Sequence, residues 1–220
     1  MPRARSSSRP GRKRVAARTR DPEDKRARLM AAARELFAQR GFAATTTADV
    51  ARRAGVSEGI VFHHFGSKAE LLEEVAADYG RALASAMFAA AASTSGSPPA
   101  EAMLRAAFGY VREHGALARL LRTPDVGEKS AAKRASREHI VDALARGFES
   151  WAAAGALRRM NAPIAAELIY ALVEAALIEC FVHGDGAREE EYLREAVACI
   201  EGALRPRSSS TSNAARRAGT

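Results

Sequence analysis

Hydrophobic residues recur along this chain at steps of three and four, the spacing that gathers them on one face of an α-helix. A first helix begins at Asp21-Pro22 with acids in its opening turn, carries Leu29, Ala33, Leu36 and Phe37 on one stripe, and ends at Gly41. Two short patterns follow. Thr46 is an N-cap with Asp49 three positions on, then come Val50, Ala51 and Ala54. Gly55 turns the chain and Val56 plugs the turn. Ser57 caps the next helix, whose Ile60, Val61 and Phe65 face inward. Ser67 opens a long helix with Leu72, Val75, Tyr79, Leu83 and Met87 at helical spacing.

Residues 93–99, STSGSPP, are a loop. Beyond it the pattern predicts a helix over 100–114 with Met103, Leu104, Ala107, Phe108 and Val111, and then a short apolar piece at 117–121. That piece leads to Thr123-Pro124 and a turn at Gly127. Residues 129–154 form a long helix with Ile140, Leu144, Phe148 and Trp151 on one side. Asn161 and Pro163 open another, carrying Ile164, Leu168, Ile169, Leu172, Ala176, Leu177 and Phe181 before Gly184-Asp185-Gly186. The last helix, over 187–204, has Tyr192, Leu193, Ala196, Val197, Ile200 and Leu204. These two helices are apolar over wide arcs and joined by a short loop, an antiparallel hairpin with an extra face to bury.

Composition agrees with an all-α fold: 47% of the 220 residues are apolar, with alanine outweighing aromatic and β-branched types. The net charge of +8 suggests a nucleic-acid partner until it is located. Residues 1–20 hold eight basic residues and no acid, and residues 205–220 hold four more, which leaves 22 basic against 26 acidic residues between them. The body is mildly acidic, and the basic charge sits on two low-complexity ends expected to be disordered. The first end can lie along phosphates or enter a minor groove, or it can be a solvated extension. Two cysteines without a secreted framework, no apolar run long enough for a bilayer and no signal-peptide stretch point to the cytoplasm and away from a membrane.

The stretch 45–65, TTTADVARRAGVSEGIVFHHF, is two helices joined by a tight turn containing glycine, a helix-turn-helix whose second helix can enter a DNA major groove. Here the sequence resembles the TetR family of bacterial transcriptional regulators. The resemblance rests on Gly41-Phe42, Thr45-Thr46, Asp49-Val50-Ala51, Ala54-Gly55-Val56-Ser57, Gly59-Ile60-Val61-Phe62-His63-His64-Phe65 and Ser67-Lys68, and covers about the first third of the chain. Phe62 stands where the family usually has tyrosine, so one phosphate-directed hydroxyl is missing, though the ring can press on a thymine methyl.

The expected organisation is a basic arm (1–20), a three-helix DNA-binding domain (21–66), a helical body (67–204) and a tail (205–220). On the DNA face, Thr46 and Ser57 at helix N-termini, with His64 and Lys68, are candidates for phosphate. Lys68 is so assigned because it looks like the family's phosphate-contacting lysine, the alternative being an exposed surface lysine. Glu58, Gly59 and His63 are the candidates for base edges: Glu58 can accept from a cytosine amine, and Gly59 lets the backbone approach. His64 reads equally as a half-buried support for the recognition helix. The resemblance implies that the body binds a small-molecule effector and that its last two helices pair with a second copy, giving a homodimer on a palindromic double-stranded operator. Phe108, Phe148, Trp151 and Tyr170, with Glu174 one turn beyond Tyr170, are the pocket candidates, each also readable as core.

Cys180 and His183 form a C-x-x-H step without a second close pair, so no metal and no cofactor is expected. No phosphate-cradling glycine loop, H-E-x-x-H or G-x-S-x-G is present, which argues against an enzyme. The competing reading is a helical adaptor or architectural DNA-binding protein without an inducer.

Overall fold

The computed structural model describes residues 22–94, 99–122 and 128–206. Among them every regular element is helical. The basic arm, the 123–127 turn with Thr123, Pro124 and Gly127, part of the 93–99 loop and most of the tail lie outside the described residues.

Helix α1 (Pro22–Arg40) buries Leu29, Ala33, Leu36 and Phe37, as its stripe predicts. Helix α2 (Thr47–Ala54) starts in a complete capping box: Thr46 Oγ1 accepts from the Asp49 amide, and the Asp49 carboxylate accepts from the Thr46 amide. It ends at Gly55 in the left-handed conformation (φ 68°), where the absence of a Cβ removes the steric penalty. Helix α3 (Glu58–Phe65) buries Val61 and Phe65. Ser57 sits at its N-cap with extended backbone, but contrary to expectation its hydroxyl makes no capping bond.

Helix α4 (Lys68–Ala92) runs 25 residues without a break, about 37 Å at 1.5 Å per residue. It packs on α1, α3, α5 (Ala100–Glu113) and α7 (Glu128–Ala153), so it belongs to the cores of both the three-helix head and the body. The apolar piece at 117–121 is a helix, α6 (Gly115–Arg122), which lies against α1, α5 and α7. Helix α8 (Ala162–Ile178) begins at Asn161, whose side chain accepts from the Ile164 amide. Instead of stopping directly at glycine, it widens into one π-helical turn over Glu179–His183 before α9 (Glu189–Leu204) closes the hairpin.

The body depends on one close crossing. At Gly80 of α4 a Cβ would run into the backbone carbonyl of Ser136 on α7, a clash that no rotamer change relieves. The helices meet there backbone to backbone. Gly80→Ala is therefore expected to destabilise the protein by about 1–3 kcal/mol, the usual cost of overpacking, and to lower Tm by several degrees. Urea and thermal unfolding of the variant against wild type check this; an unchanged midpoint would mean the helices separate freely.

Candidate nucleic-acid interface and effector cavity

The head presents one face of α3 to solvent. Phe62 is 50% exposed, although large aromatics are ordinarily covered, and His63 and Gly59 are exposed beside it. An added Cβ on Gly59 would meet nothing within 4 Å, so the backbone there is open to approach. Beneath this surface Val61 and Phe65 anchor the helix, and the Arg26 guanidinium lies 5.4 Å over the Phe65 ring.

Several candidate side chains are bound within the head. The Thr46 hydroxyl is committed to Asp49, 2.7 Å from its carboxylate, so what remains free at this helix end is backbone N–H rather than the hydroxyl. These hydrogen bonds from Thr46 hold the Asp49 carboxyl below the usual carboxylate range. Glu58 accepts a hydrogen bond from the Thr47 hydroxyl, which ties the start of α3 to the start of α2. Lys68 departs most from its sequence reading. Its Nζ donates to the carbonyls of Phe42 and Thr45 at 3.1 Å each and stands 4.3 Å over the Phe42 ring. Two of its three donors are thus fixing the α1–α2 corner, which the sequence reading missed, and one is left. Beside it Thr45 is fully buried and donates to the Gly41 carbonyl at 2.8 Å.

His64 is half-buried, its ring edge-on to His63 and tilted against Phe65. Burial, then the charges of His63, Arg26 and Lys25, lowers its pKa from the ordinary value.

In the body, an internal cavity of about 50 Å³ lies between α4, α5, α7, α8 and α9. Phe148, Trp151, Tyr170 and Glu174 are among the residues that line it. Phe108 does not; it is fully buried in the core, edge-on to Phe181 at 5.9 Å, because its position on α5 turns it toward the α8–α9 end. A residue that the sequence reading passed over does line the cavity: Arg122. Its Nε donates to Glu174 Oε2 at 3.1 Å, and one terminal nitrogen donates to the Tyr79 hydroxyl and the Ala118 carbonyl at 3.3 Å each. Burial alone would push Arg122 toward losing its proton, but Glu174 and Tyr79 hold its pKa above the ordinary value. The pKa values of Tyr79 and Tyr170 are both raised by burial, so both phenols are neutral. The signal was available: Leu117, Ala118, Leu121 and Arg122 share one helical face, and that face is buried.

Among the described residues no helix is long and apolar enough to cross a membrane, and no three histidine, cysteine or acidic side chains gather as a metal site. Cys180 is buried and Cys199 is exposed, both as free thiols.

A three-helix head that turns one face of α3 to solvent, joined by a continuous helix to an all-helical body, contains a helix-turn-helix unit. Residues 29–75 match the family described as bacterial regulatory proteins, tetR family. The matched stretch is the head together with the start of α4, and its similarity is to bacterial transcriptional regulators. Relatives include the repressor KstR2 of Mycolicibacterium smegmatis, 43% identical over 58 residues, and the regulator TtgR of Pseudomonas putida, 44% over 53. The aligned stretch is 26% of this chain and 28% of the length of KstR2; for TtgR the shares are 24% and 25%. A transcription regulator from Shewanella sp. PV-4, assigned to the tetR family, superimposes with TM-score 0.61 at 25% identity over 82% of this chain and 97% of its own. SmeT, the repressor of a Stenotrophomonas maltophilia multidrug efflux pump, shares the fold with TM-score 0.60 at 19% identity over 82% of this chain and 92% of its own.

The depressed pKa of His64 makes a pH prediction. The unfolded chain takes up this proton near the ordinary pKa of 6.5 and the folded chain only below it, so His64 costs no stability above that pH and costs progressively more as pH falls. Denaturant unfolding of wild type and His64→Gln at several pH values should show the wild type losing ground to the variant as pH drops below 6.5. Parallel curves would mean that His64 is not held in its neutral form.

Proposed function

We propose that the chain is a cytoplasmic, homodimeric transcriptional repressor that reads a palindromic DNA operator and releases it when a small molecule occupies the body. The observation that carries this reading is the face of α3: Phe62, His63 and Gly59 stand exposed above the buried anchors Val61 and Phe65. A solvent-facing phenylalanine flanked by histidine and glycine suits a surface that will be covered by bases.

In this reading His63 and Glu58 address base edges, Phe62 a thymine methyl, and Gly59 allows close approach. Phosphates meet the free amides after Thr46, the uncommitted Ser57 hydroxyl, His64 and the remaining donor of Lys68. Residues 21–66 are the reading head, residues 67–204 the effector and dimer domain, and the basic arm at 1–20 and the tail at 205–220 add attraction to DNA. The repressor sense follows KstR2, a repressor similar to this head.

A second copy is supported by α8. Ile164 is 55% exposed, Leu168 67% and Leu172 38%, four residues apart on one stripe. Such an apolar row on the hairpin is what a two-fold partner would cover. The long α4 is the lever between cavity and head, and Arg122 reaches it through Tyr79.

Selection of genomic DNA fragments by the purified protein at near-physiological salt, followed by sequencing, tests the reading. One enriched palindrome is expected. His63→Ala should then alter the rank order of operator variants at particular bases by about 1–3 kcal/mol. Leu168→Glu should sediment as a monomer and lose operator binding. Enrichment without sequence preference, abolished by salt, would favour the architectural reading instead.

A further inference from the structure

We propose that the effector is an electrically neutral amphiphile: an apolar body with one hydroxyl-type headgroup, lodged between Arg122 and Glu174. The inference rests on the reading of the cavity as the effector site and specifies the chemistry that site accepts.

The argument starts from the wall. Leu83, Met87, Leu144, Phe148, Trp151 and Leu177 are representative of its lining, and among the described lining residues Arg122 and Glu174 carry the only charges. They are paired with each other, with side chains 5% and 11% exposed, and the Tyr170 phenol lines the same cavity. The site is therefore apolar over most of its wall and polar at a single point.

The two charges cancel. Arg122 and Glu174 are paired at 3.1 Å, so the cavity has no net charge for a charged headgroup to neutralise. A carboxylate approaching Arg122 would compete with Glu174 and leave one of the two anions buried without a counter-ion; an ammonium approaching Glu174 would do the same to Arg122. Each case strands a charge in a low-dielectric wall, which costs far more than a neutral group would. A hydroxyl avoids this. It accepts from the guanidinium and donates to the carboxylate, bridging both without altering the charge balance.

Size points the same way. A cavity of about 50 Å³ is far below the roughly 300–1,000 Å³ of ordinary ligand sites, so a ligand must push the apolar walls apart. A flexible aliphatic or small aromatic body can do this against side chains such as Met87 and Leu144. Because Arg122 also donates to Tyr79 of α4, a headgroup inserted at this pair is felt by the helix that carries the reading head.

Trp151, the single tryptophan, lines the cavity and supplies the readout. The probes are 1-octanol, octanoate and octylammonium at neutral pH, each titrated against the full chain while the tryptophan emission is followed. Expected is saturable binding of octanol at least tenfold tighter than either charged analogue. In Arg122→Met/Glu174→Leu, which removes both charges together, octanol should weaken at least tenfold while the fold survives by circular dichroism. Octanoate or octylammonium binding as tightly as octanol would overturn the headgroup assignment and leave the cavity reading standing. Phe148→Ala, which enlarges the cavity, separates the remaining case: if no probe perturbs Trp151 in either wild type or this variant, the cavity is not an effector site and both readings fall.

Discussion

Everything in this molecule is referred to one helix. α4 spans 25 residues without a break, its buried residues run from Leu71 to Met87, and it packs on α1 and α3 of the head and on α5 and α7 of the body. Its start is fixed by the Ser67 cap and by the Lys68 ammonium, which reaches back to the α1–α2 corner. Its middle is pinned on α7 where Gly80 meets the Ser136 backbone. Between these points run Arg26–Glu74 and Arg34–Asp78, exposed ion pairs that tie α1 to the same rod. Each exposed pair is worth at most about 1 kcal/mol, so the apolar contacts rather than the pairs hold the head to α4.

Much of this was legible in the sequence, for a definite reason. Where a helix begins with a side-chain cap and ends at glycine, local chemistry decides the boundary, so Thr46, Gly55, Ser67 and Asn161 marked their elements correctly. Burial also followed spacing: Val61 and Phe65 went in while Phe62 and His63 stayed out. Features depending on long-range partners were harder. Ser57 looks like a capping residue, yet the serine hydroxyl has no intrinsic obligation to cap. Lys68 looks like a phosphate ligand, yet carbonyls 23 and 26 residues earlier in the chain claim two of its protons. No periodicity encodes that distance.

The cavity shows the same division. Its aromatic candidates stand out in the sequence because they are large and apolar, a criterion that also admits Phe108, whose α5 position turns it to Phe181 instead. The same criterion passed over Arg122, although its face of α6 is buried. A charged residue on a buried face requires a partner, and only folding brings Glu174, 52 residues away, within 3.1 Å. The informative question about such a residue is what neutralises it.

That pairing bears on how a signal would leave the cavity. A ligand moves a two-state equilibrium only by as much as its affinity differs between the states. Uniform contact with leucine side chains would bind without discriminating. Arg122 is different, because one guanidinium is shared among α8 through Glu174, α4 through Tyr79 and its own helix through Ala118. A headgroup that takes one of those hydrogen bonds changes the position at which the other two are satisfied. Tyr79 stands one residue from Gly80, where α4 crosses α7, so a change in its hydrogen bond acts on α4 beside that crossing. α3 joins the start of the same helix, about 12 residues or 18 Å from Gly80 at 1.5 Å per residue. The buried ion pair thus sits where a change in hydrogen bonding meets the helix that the head and the body share.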